Sequence, residues 1–173
     1  MKALIVTVLC LAFFTCRTPT VWREYRSPDG SFSIQFPGDA QTTAKTSPLS
    51  PDVKYPVVNW TSTGLLREVT YSEIPNLRAL NPDETKEYYE FLRTQTIKLN
   101  HSQLMDSAEV TLNGKLAEDF TEVRPGGKVA RYRMVLLGTK LLIVKGEQDV
   151  GVTPASETSP TVDQFMSSLK IGD

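Results

Sequence analysis

The fold is decided near the start of the chain by the stretch Ser27-Pro28-Asp29-Gly30-Ser31-Phe32-Ser33-Ile34-Gln35-Phe36. Its first four residues favour a turn, because proline presets φ at the second position and Asp and Gly readily adopt the turn conformations that follow. The next six alternate polar and apolar, which places Phe32, Ile34 and Phe36 on one face of a strand. Together with the strand-like residues 21–26, this stretch predicts an antiparallel hairpin.

Six further strands are predicted downstream from alternating or apolar runs bounded by turn residues. They are residues 54–61, 65–74, 108–113, 116–123, 128–137 and 140–145. A two-residue connection such as Gly138-Thr139 joins antiparallel strands. The last strand is apolar on both faces, which predicts a central position covered on both sides. Residues 38–53, rich in Thr, Ser and Pro, are predicted as an exposed loop.

Two helices interrupt the strands. Asn81-Pro82-Asp83-Glu84 predicts a helix start, with Asn81 as N-cap, Pro82 in the first turn and Glu84 closing a capping box. This helix should run to Leu99 and present one side composed of Tyr88, Phe91, Leu92, Gln95 and Leu99. A short C-terminal helix is predicted from Ser159-Pro160, with four residues inward: Val162, Phe165, Met166 and Leu169.

The order of elements therefore predicts an α+β fold with about eight strands, one long central helix and one short C-terminal helix. A closed lipocalin-type barrel with a terminal helix is the competing architecture. The long helix in the middle of the strand order counts against that barrel.

The N-terminal segment predicts export. Lys2 is followed by an apolar run of about a dozen residues, which is too short to span a hydrocarbon core ~30 Å thick and is typical of a signal peptide. Cys16 closes this run, no cysteine follows it, and no small-x-small cleavage site is present. We therefore expect residues 1–15 to be removed, Cys16 to be lipidated, residues 16–20 to form a short tether and 21–173 to form one domain.

The expected location is the bacterial cell envelope, with the protein held to a membrane by its lipid. Two or more acyl chains on one residue give stable anchoring, whereas a single chain does not. The sequence Phe13-Phe14-Thr15-Cys16 departs from the usual Leu-Ala-Gly-Cys type. A secreted or periplasmic soluble protein is therefore the alternative.

Composition argues against several classes of function. A formal net charge of −1 disfavours a nucleic-acid partner that is held through its phosphates. Two cysteines and one histidine leave little material for a disulfide framework or a zinc site. His101 follows a predicted helix end, where histidine commonly interacts with the last carbonyl groups. We expect no catalytic residues, metal or cofactor.

Binding residues are harder to assign. Arg131 and Arg133 share one face of a strand and can hold a carboxylate or phosphate of a partner. Alternatively, they cover the sheet edge with their aliphatic stems and pair with nearby Glu. Glu118 and Glu122 share one face of a strand and Asp119 lies on the other; these carboxylates are interpreted as solvated, with a hydrolase or divalent-metal role as the alternative. Trp22, Tyr25, Trp60 and Tyr71 are interpreted as core or interface anchors rather than a sugar platform.

Several of these motifs together resemble the PsbP-like proteins exported by bacteria. They are Trp22-Arg23-Glu24-Tyr25, Ser27-Pro28-Asp29-Gly30, Phe32-Ser33-Ile34, Phe36-Pro37-Gly38, Asn113-Gly114, Gly126-Gly127 followed by Arg131, and Phe165-Met166-Ser167-Ser168-Leu169-Lys170. The resemblance implies an antiparallel sheet sandwiched by helices, an α/β/α arrangement. Photosynthetic members of that family are non-enzymatic accessory subunits docked to a membrane complex, and many bacterial relatives are lipoproteins without assigned chemistry. Photosynthesis itself is not implied. No binding residue is carried over from it.

The sequence thus predicts a membrane-anchored lipoprotein that acts as a non-enzymatic binding or accessory module, with a protein partner in the cell envelope. One alternative is a carrier of a small molecule or lipid with a pocket between the sheet and the long helix. The other is a hydrolase that uses two carboxylates.

Overall fold

The computed structural model describes residues 21–47, 50–62, 64–74, 77–149 and 160–172. The predicted signal peptide, the predicted lipidation site Cys16, the predicted tether 16–20 and Ser159 lie outside these described residues. The elements in chain order are β1 (Arg23–Arg26), β2 (Phe32–Phe36), β3 (Gln41–Ser47), β4 (Ser50–Ser62), β5 (Leu65–Glu73), α1 (Pro82–Leu99), β6 (Gln103–Leu112), β7 (Lys115–Arg124), β8 (Lys128–Leu137), β9 (Lys140–Asp149), α2 (Pro160–Ser167) and β10 (Lys170–Ile171). Within those ranges, neither helix has the length and apolar content that crossing a bilayer requires.

The strands form two antiparallel sheets. The large sheet has seven strands in the order β3-β4-β5-β9-β8-β7-β6, and the small sheet has the order β1-β2-β10. The predicted count of about eight strands is therefore too low, because the described residues contain ten. The predicted hairpin is confirmed, since Arg23 pairs with Phe36 and Arg26 with Ser33.

Three layers follow from the packing of these sheets and helices. Helix α1 covers one face of the large sheet through a cluster centred on Tyr89, Phe120 and Tyr132. Helix α2 and the small sheet cover the other face, where Phe36 and Phe165 join the main core. The α+β prediction is confirmed, but the second outer layer is a helix beside a three-stranded sheet rather than helices alone.

Strand β9 lies at the centre of the large sheet, between β5 and β8. This position confirms the central strand predicted from its continuous apolar run. Helix α2 approaches β9 closely at Gly146, where an added Cβ would lie 2.8 Å from a methyl group of Val162. The four residues of the C-terminal segment expected to face inward are all buried: Val162, Phe165, Met166 and Leu169.

The exposed loop predicted for residues 38–53 is wrong. Most of that segment forms β3 and the first part of β4, paired from Gln41↔Asn59 to Ser47↔Ser50. Threonine is β-branched and suits a strand, and an edge strand tolerates polar side chains on both faces. Polar composition therefore indicated exposure correctly for residues 41–46, which are exposed, but not the backbone conformation.

Helix α1 begins as predicted but buries a partly different side. Asn81 accepts a hydrogen bond from the Glu84 backbone N–H at 2.9 Å, and the Glu84 carboxylate accepts one from the Asn81 N–H at 3.0 Å. The predicted side is right in part: Leu92 packs against the cluster around Tyr89, but Phe91 and Leu99 are 51% and 59% exposed. Tyr89 is buried instead, where its hydroxyl donates to the Leu116 carbonyl oxygen and accepts from the Leu136 N–H.

Candidate functional site

Acidic residues lie under helix α1 on strand β7. Glu118, Phe120 and Glu122 occupy successive positions on the face of β7 toward α1, and all three are buried. The interpretation of these glutamates as a solvated face is wrong, because α1 packs over β7 and excludes water from it. We call these three residues the acidic stripe.

Glu118 forms one end of the acidic stripe and pairs with Arg93 of α1. The pair lies in a groove of about 240 Å³ between α1 and strands β6 and β7, whose lining includes Glu90 and the ion pair Lys86–Glu109. Burial raises the pKa of Glu118 above its ordinary value; Arg93 opposes this shift and the charges of Glu90 and Glu109 add to it. A carboxyl with a raised pKa in a groove is a candidate proton donor, but this one is already held by an arginine.

Glu122 forms the other end of the acidic stripe and accepts four hydrogen bonds. One oxygen accepts from Asn100 Nδ2 at 2.9 Å, Arg124 Nε at 2.6 Å and the Tyr132 hydroxyl at 2.9 Å. The other accepts from the Ser102 hydroxyl at 2.6 Å. The carboxylate is therefore saturated by donors that come from the end of α1, the start of β6 and strands β7 and β8.

The hydrogen-bond network continues from Glu122 toward solvent through Arg124. Arg124 also contacts Glu147 at 2.8 Å, and Lys145 contacts the same carboxylate at 2.7 Å. Burial opposes ionisation of Glu147, but Lys145, Arg124 and Lys128 outweigh it and lower its pKa. We call this group the Glu122 cluster; it comprises Asn100, Ser102, Glu122, Arg124, Lys128, Tyr132, Lys145 and Glu147.

Tyr132 links the Glu122 cluster to the core. Its ring stacks on Phe120 with centroids 4.6 Å apart and planes 4° from parallel. Burial and the neighbouring charge of Glu122 raise the pKa of its hydroxyl well above the usual range. The hydroxyl therefore stays protonated at physiological pH and acts as a donor to Glu122.

Arg131 and Arg133 lie on the opposite face of the large sheet. Arg133 holds Asp119 with two nitrogens, at 2.6 and 2.7 Å, and donates to the Met166 carbonyl oxygen at 3.1 Å. Arg131 contacts Asp163 of α2 at 2.7 Å and Asp119 at 3.3 Å. The partners are aspartates rather than the glutamates expected, and the pairs link α2 to the sheet. Contact of Arg131 or Arg133 with an anionic partner stays a prediction.

A second groove lies where α1 begins. It has a volume of about 310 Å³ and is formed by the segment before α1, the first turn of α1 and the β6–β7 and β8–β9 turns. Its lining includes Leu80, Leu116 and Leu136, with Gly114 and Gly138 at the turns. This start groove is less charged than the groove beside Glu118, so it better suits a small molecule with apolar parts.

The remaining residues singled out in the sequence lie at a helix end or pack against the core. His101 follows α1 with a left-handed φ of 50°, and its backbone N–H donates to the Lys98 carbonyl oxygen, which confirms its place at the helix end. The hydroxyls of Tyr25 and Tyr71 lie 3.1 Å apart, and both rings pack against the main core. Trp22 and Trp60 also pack there and are partly buried, as expected of core anchors.

Sequence reasoning missed the cations that complete both ends of the acidic stripe. Arg93 lies on α1, 25 residues before Glu118 in sequence, whereas Arg124 follows Glu122 by two residues on β7. The alternation of Glu118, Phe120 and Glu122 was the available signal, because a buried aromatic between two glutamates places all three on one face. Across the described part of the chain, no three His, Cys, Asp or Glu side chains are arranged to hold a metal ion.

The fold is similar to that of solved structures, whereas no protein-family model and no curated protein matches the sequence. The solution structure of cyanobacterial PsbP (CyanoP) from Synechocystis sp. PCC 6803 aligns over 94% of this chain and 99% of that chain, with a TM-score of 0.61 and 15% identity. A crystal structure of PA94 from Pseudomonas aeruginosa, described as a protein of unknown function and putative regulator, aligns over 85% of this chain and 94% of that chain, with a TM-score of 0.45 and 13% identity. At 15% identity the first likeness shows that the chain has a PsbP-like fold.

Proposed function

We propose that this protein is a lipoprotein of the bacterial cell envelope that acts as a non-enzymatic binding or accessory module. The observation that carries the proposal is the internal pairing of the buried carboxylates: Glu118, Asp119 and Glu122 each contact an arginine of the same chain. A general acid or base must be able to reach a substrate proton. Carboxylates that are held in internal ion pairs stabilise the fold and are not available to a substrate. We therefore expect the protein to act by binding through its surface.

The start of the fold suits a short membrane anchor. Strand β1 begins at Arg23, seven residues after Cys16, which is at most roughly 24 Å of extended chain. A lipid on Cys16 would keep the domain within one domain diameter of the bilayer. The PsbP-like fold supports the accessory role, since the resemblance implies non-enzymatic subunits that dock to membrane complexes.

The anchor is tested by changing each cysteine in the full chain expressed in a bacterium. Cys16→Ser should abolish incorporation of a labelled fatty acid and move the protein out of the membrane fraction. Cys10→Ser is the matched control, because this cysteine lies within the predicted signal peptide, and it should change neither readout. Unchanged labelling and membrane partitioning of Cys16→Ser would reject lipidation as the anchor.

The binding role is tested by crosslinking in intact cells followed by purification of the protein. We expect the same envelope protein to be crosslinked to the wild type in repeated experiments. This crosslink should be lost with Cys16→Ser, because the variant is no longer held at the membrane beside its partner. Recovery of the same crosslinked set with both forms would contradict a role that depends on the anchor.

A carrier function is the second candidate, and the start groove is the observation that favours it. Its volume of about 310 Å³ lies at the lower end of the usual range for ligand pockets. Native mass spectrometry of the purified protein against a panel of small amphipathic molecules tests this candidate. Retention of a ligand by the wild type and its loss in Leu136→Arg would support it, and no retained ligand would contradict it. The carboxylate-based hydrolase has less support, because Glu118 is held by Arg93.

A further inference from the structure

The two tryptophans of the chain lie at one end of the fold. Trp22 immediately precedes β1, whose residue Arg23 pairs with Phe36 at the end of β2. The chain then turns through Gly38, where an added Cβ would lie 2.9 Å from Nε1 of the Trp60 ring. Trp22 and Trp60 therefore flank the same strand end, and both are only partly buried.

Apolar and charged groups surround these tryptophans at the surface. Val21 is 64% exposed, which is more than any other exposed large apolar residue in the described chain. Arg23 and Asp39 form an exposed ion pair there with 3.1 Å between Nε and Oδ1. We call this surface the tryptophan end, and it consists of Val21, Trp22, Arg23, Asp39 and Trp60.

A lipid on Cys16 would place the tryptophan end beside the membrane. Trp22 lies six positions after Cys16, so their Cα atoms are at most roughly 20 Å apart. A domain of this size has a radius of gyration of about 15 Å. Since the tether is shorter than the width of the domain, a lipid on Cys16 would prevent the end that carries it from pointing away from the bilayer.

We propose that the tryptophan end lies in the lipid headgroup layer of the membrane that holds Cys16. This inference rests on the proposed lipid anchor. Tryptophan favours the interface because its ring is amphipathic, with an apolar body and a polar N–H. The headgroup layer is roughly 5–8 Å deep on each side, which is enough to cover Val21 and the exposed parts of the two rings.

The opposite end of the fold then points away from the membrane. Trp60 on β4 and Thr121 on β7 lie at the same height of the large sheet, because a row of cross-strand partners joins them. The row runs from Trp60 through Arg67, Gly146 and Arg131 to Thr121. Lys115 lies six residues before Thr121 on β7, roughly 20 Å along the strand. The start groove, which Lys115 helps to line, is therefore left open to the envelope.

Fluorescence quenching tests this orientation on lipidated protein isolated from membranes. The protein is placed in vesicles of phosphatidylcholine and phosphatidylglycerol, part of which is brominated near the headgroup. With Trp60→Phe, the remaining Trp22 should lose emission in the brominated vesicles, and its emission maximum should shift to shorter wavelength on binding. The control combines Trp22→Phe, Trp60→Phe and Lys115→Trp, and its emission should be the same in both kinds of vesicle.

The outcomes separate this inference from the anchor. Protein bound to vesicles with Trp22 unquenched would overturn the orientation and leave the anchor standing. Protein recovered as an unlipidated soluble form would overturn both. Circular dichroism checks that each variant is folded. The wild type, which has both tryptophans and no substitution, should also lose emission in the brominated vesicles.

Discussion

Replacing Glu122 should reveal how much the fold depends on its buried carboxylate. Glu122→Ala removes the acceptor of four hydrogen bonds and leaves the donors of Asn100, Ser102 and Tyr132 without it, while Arg124 keeps Glu147. An unsatisfied buried donor costs about 1–3 kcal/mol, and loss of one partner of a buried ion pair costs about 3–5 kcal/mol. Since these costs overlap and Arg124 keeps a partner, we expect about 4 kcal/mol of lost stability.

Glu122→Gln should cost about half as much. Glutamine keeps one acceptor oxygen for Asn100, Arg124 and Tyr132, and the Ser102 hydroxyl can rotate to accept from the new amide. Glutamine removes the negative charge that strengthens the hydrogen bond from Arg124. A hydrogen bond to a charged group contributes about 1.5–3 kcal/mol.

Urea unfolding followed by circular dichroism measures both effects. With a slope of about 2 kcal/mol per M, the midpoint should fall by about 2 M for Glu122→Ala and about 1 M for Glu122→Gln. Glu109→Ala is the matched control, because Glu109 is 54% exposed and its ion pair with Lys86 should contribute less than about 1 kcal/mol. Equal midpoints for Glu122→Ala and Glu109→Ala would refute the assignment of Glu122 as a buried anchor.

Three further predictions concern other contacts of the fold. Because burial raises the pKa of Glu118, the folded state binds its proton more tightly than the unfolded state, so stability should fall as pH rises above the ordinary glutamate range. Urea midpoints measured across pH should show this fall in the wild type and not in Glu118→Gln. An identical pH profile for the two proteins would contradict the prediction. Asn81→Ala should cost about 1 kcal/mol through loss of the helix cap, seen as a thermal midpoint about 2–4 °C lower; no change would mean that the capping box does not stabilise α1. Gly146→Ala should cost about 1–3 kcal/mol by pushing on Val162, and adding Val162→Ala should destabilise less than the sum of the two single changes in urea unfolding, whereas simple additivity would count against the contact.

The local elements were predictable because neighbouring residues encode them. The turn before Phe32 and the alternation after it fix a hairpin through backbone preferences and one apolar face. The capping box of α1 needs only Asn81 and Glu84, three positions apart. The continuous apolar run in β9 correctly indicated a strand covered on both faces.

The polar segments were harder to predict, since polarity reports exposure rather than conformation. Residues 41–46 form an exposed edge strand, and a Thr-rich edge strand has the same composition as a loop. For α1 the apolar residues occur on more than one side, so their spacing identified the buried side only in part. Packing on the sheet selects the side of Tyr89, whose hydroxyl bonds to two backbone groups of neighbouring strands.

The sequence by itself determined the α+β class, the first hairpin and the start of α1, because each depends on side chains within a few positions of one another. Only the tertiary structure decided which charges are buried. Glu118 meets Arg93, and Arg133 meets Asp119, across layers and strands that the chain reaches after many residues. The cost of burying a charge depends on whether an opposite charge comes to meet it, and that meeting is a property of the folded chain.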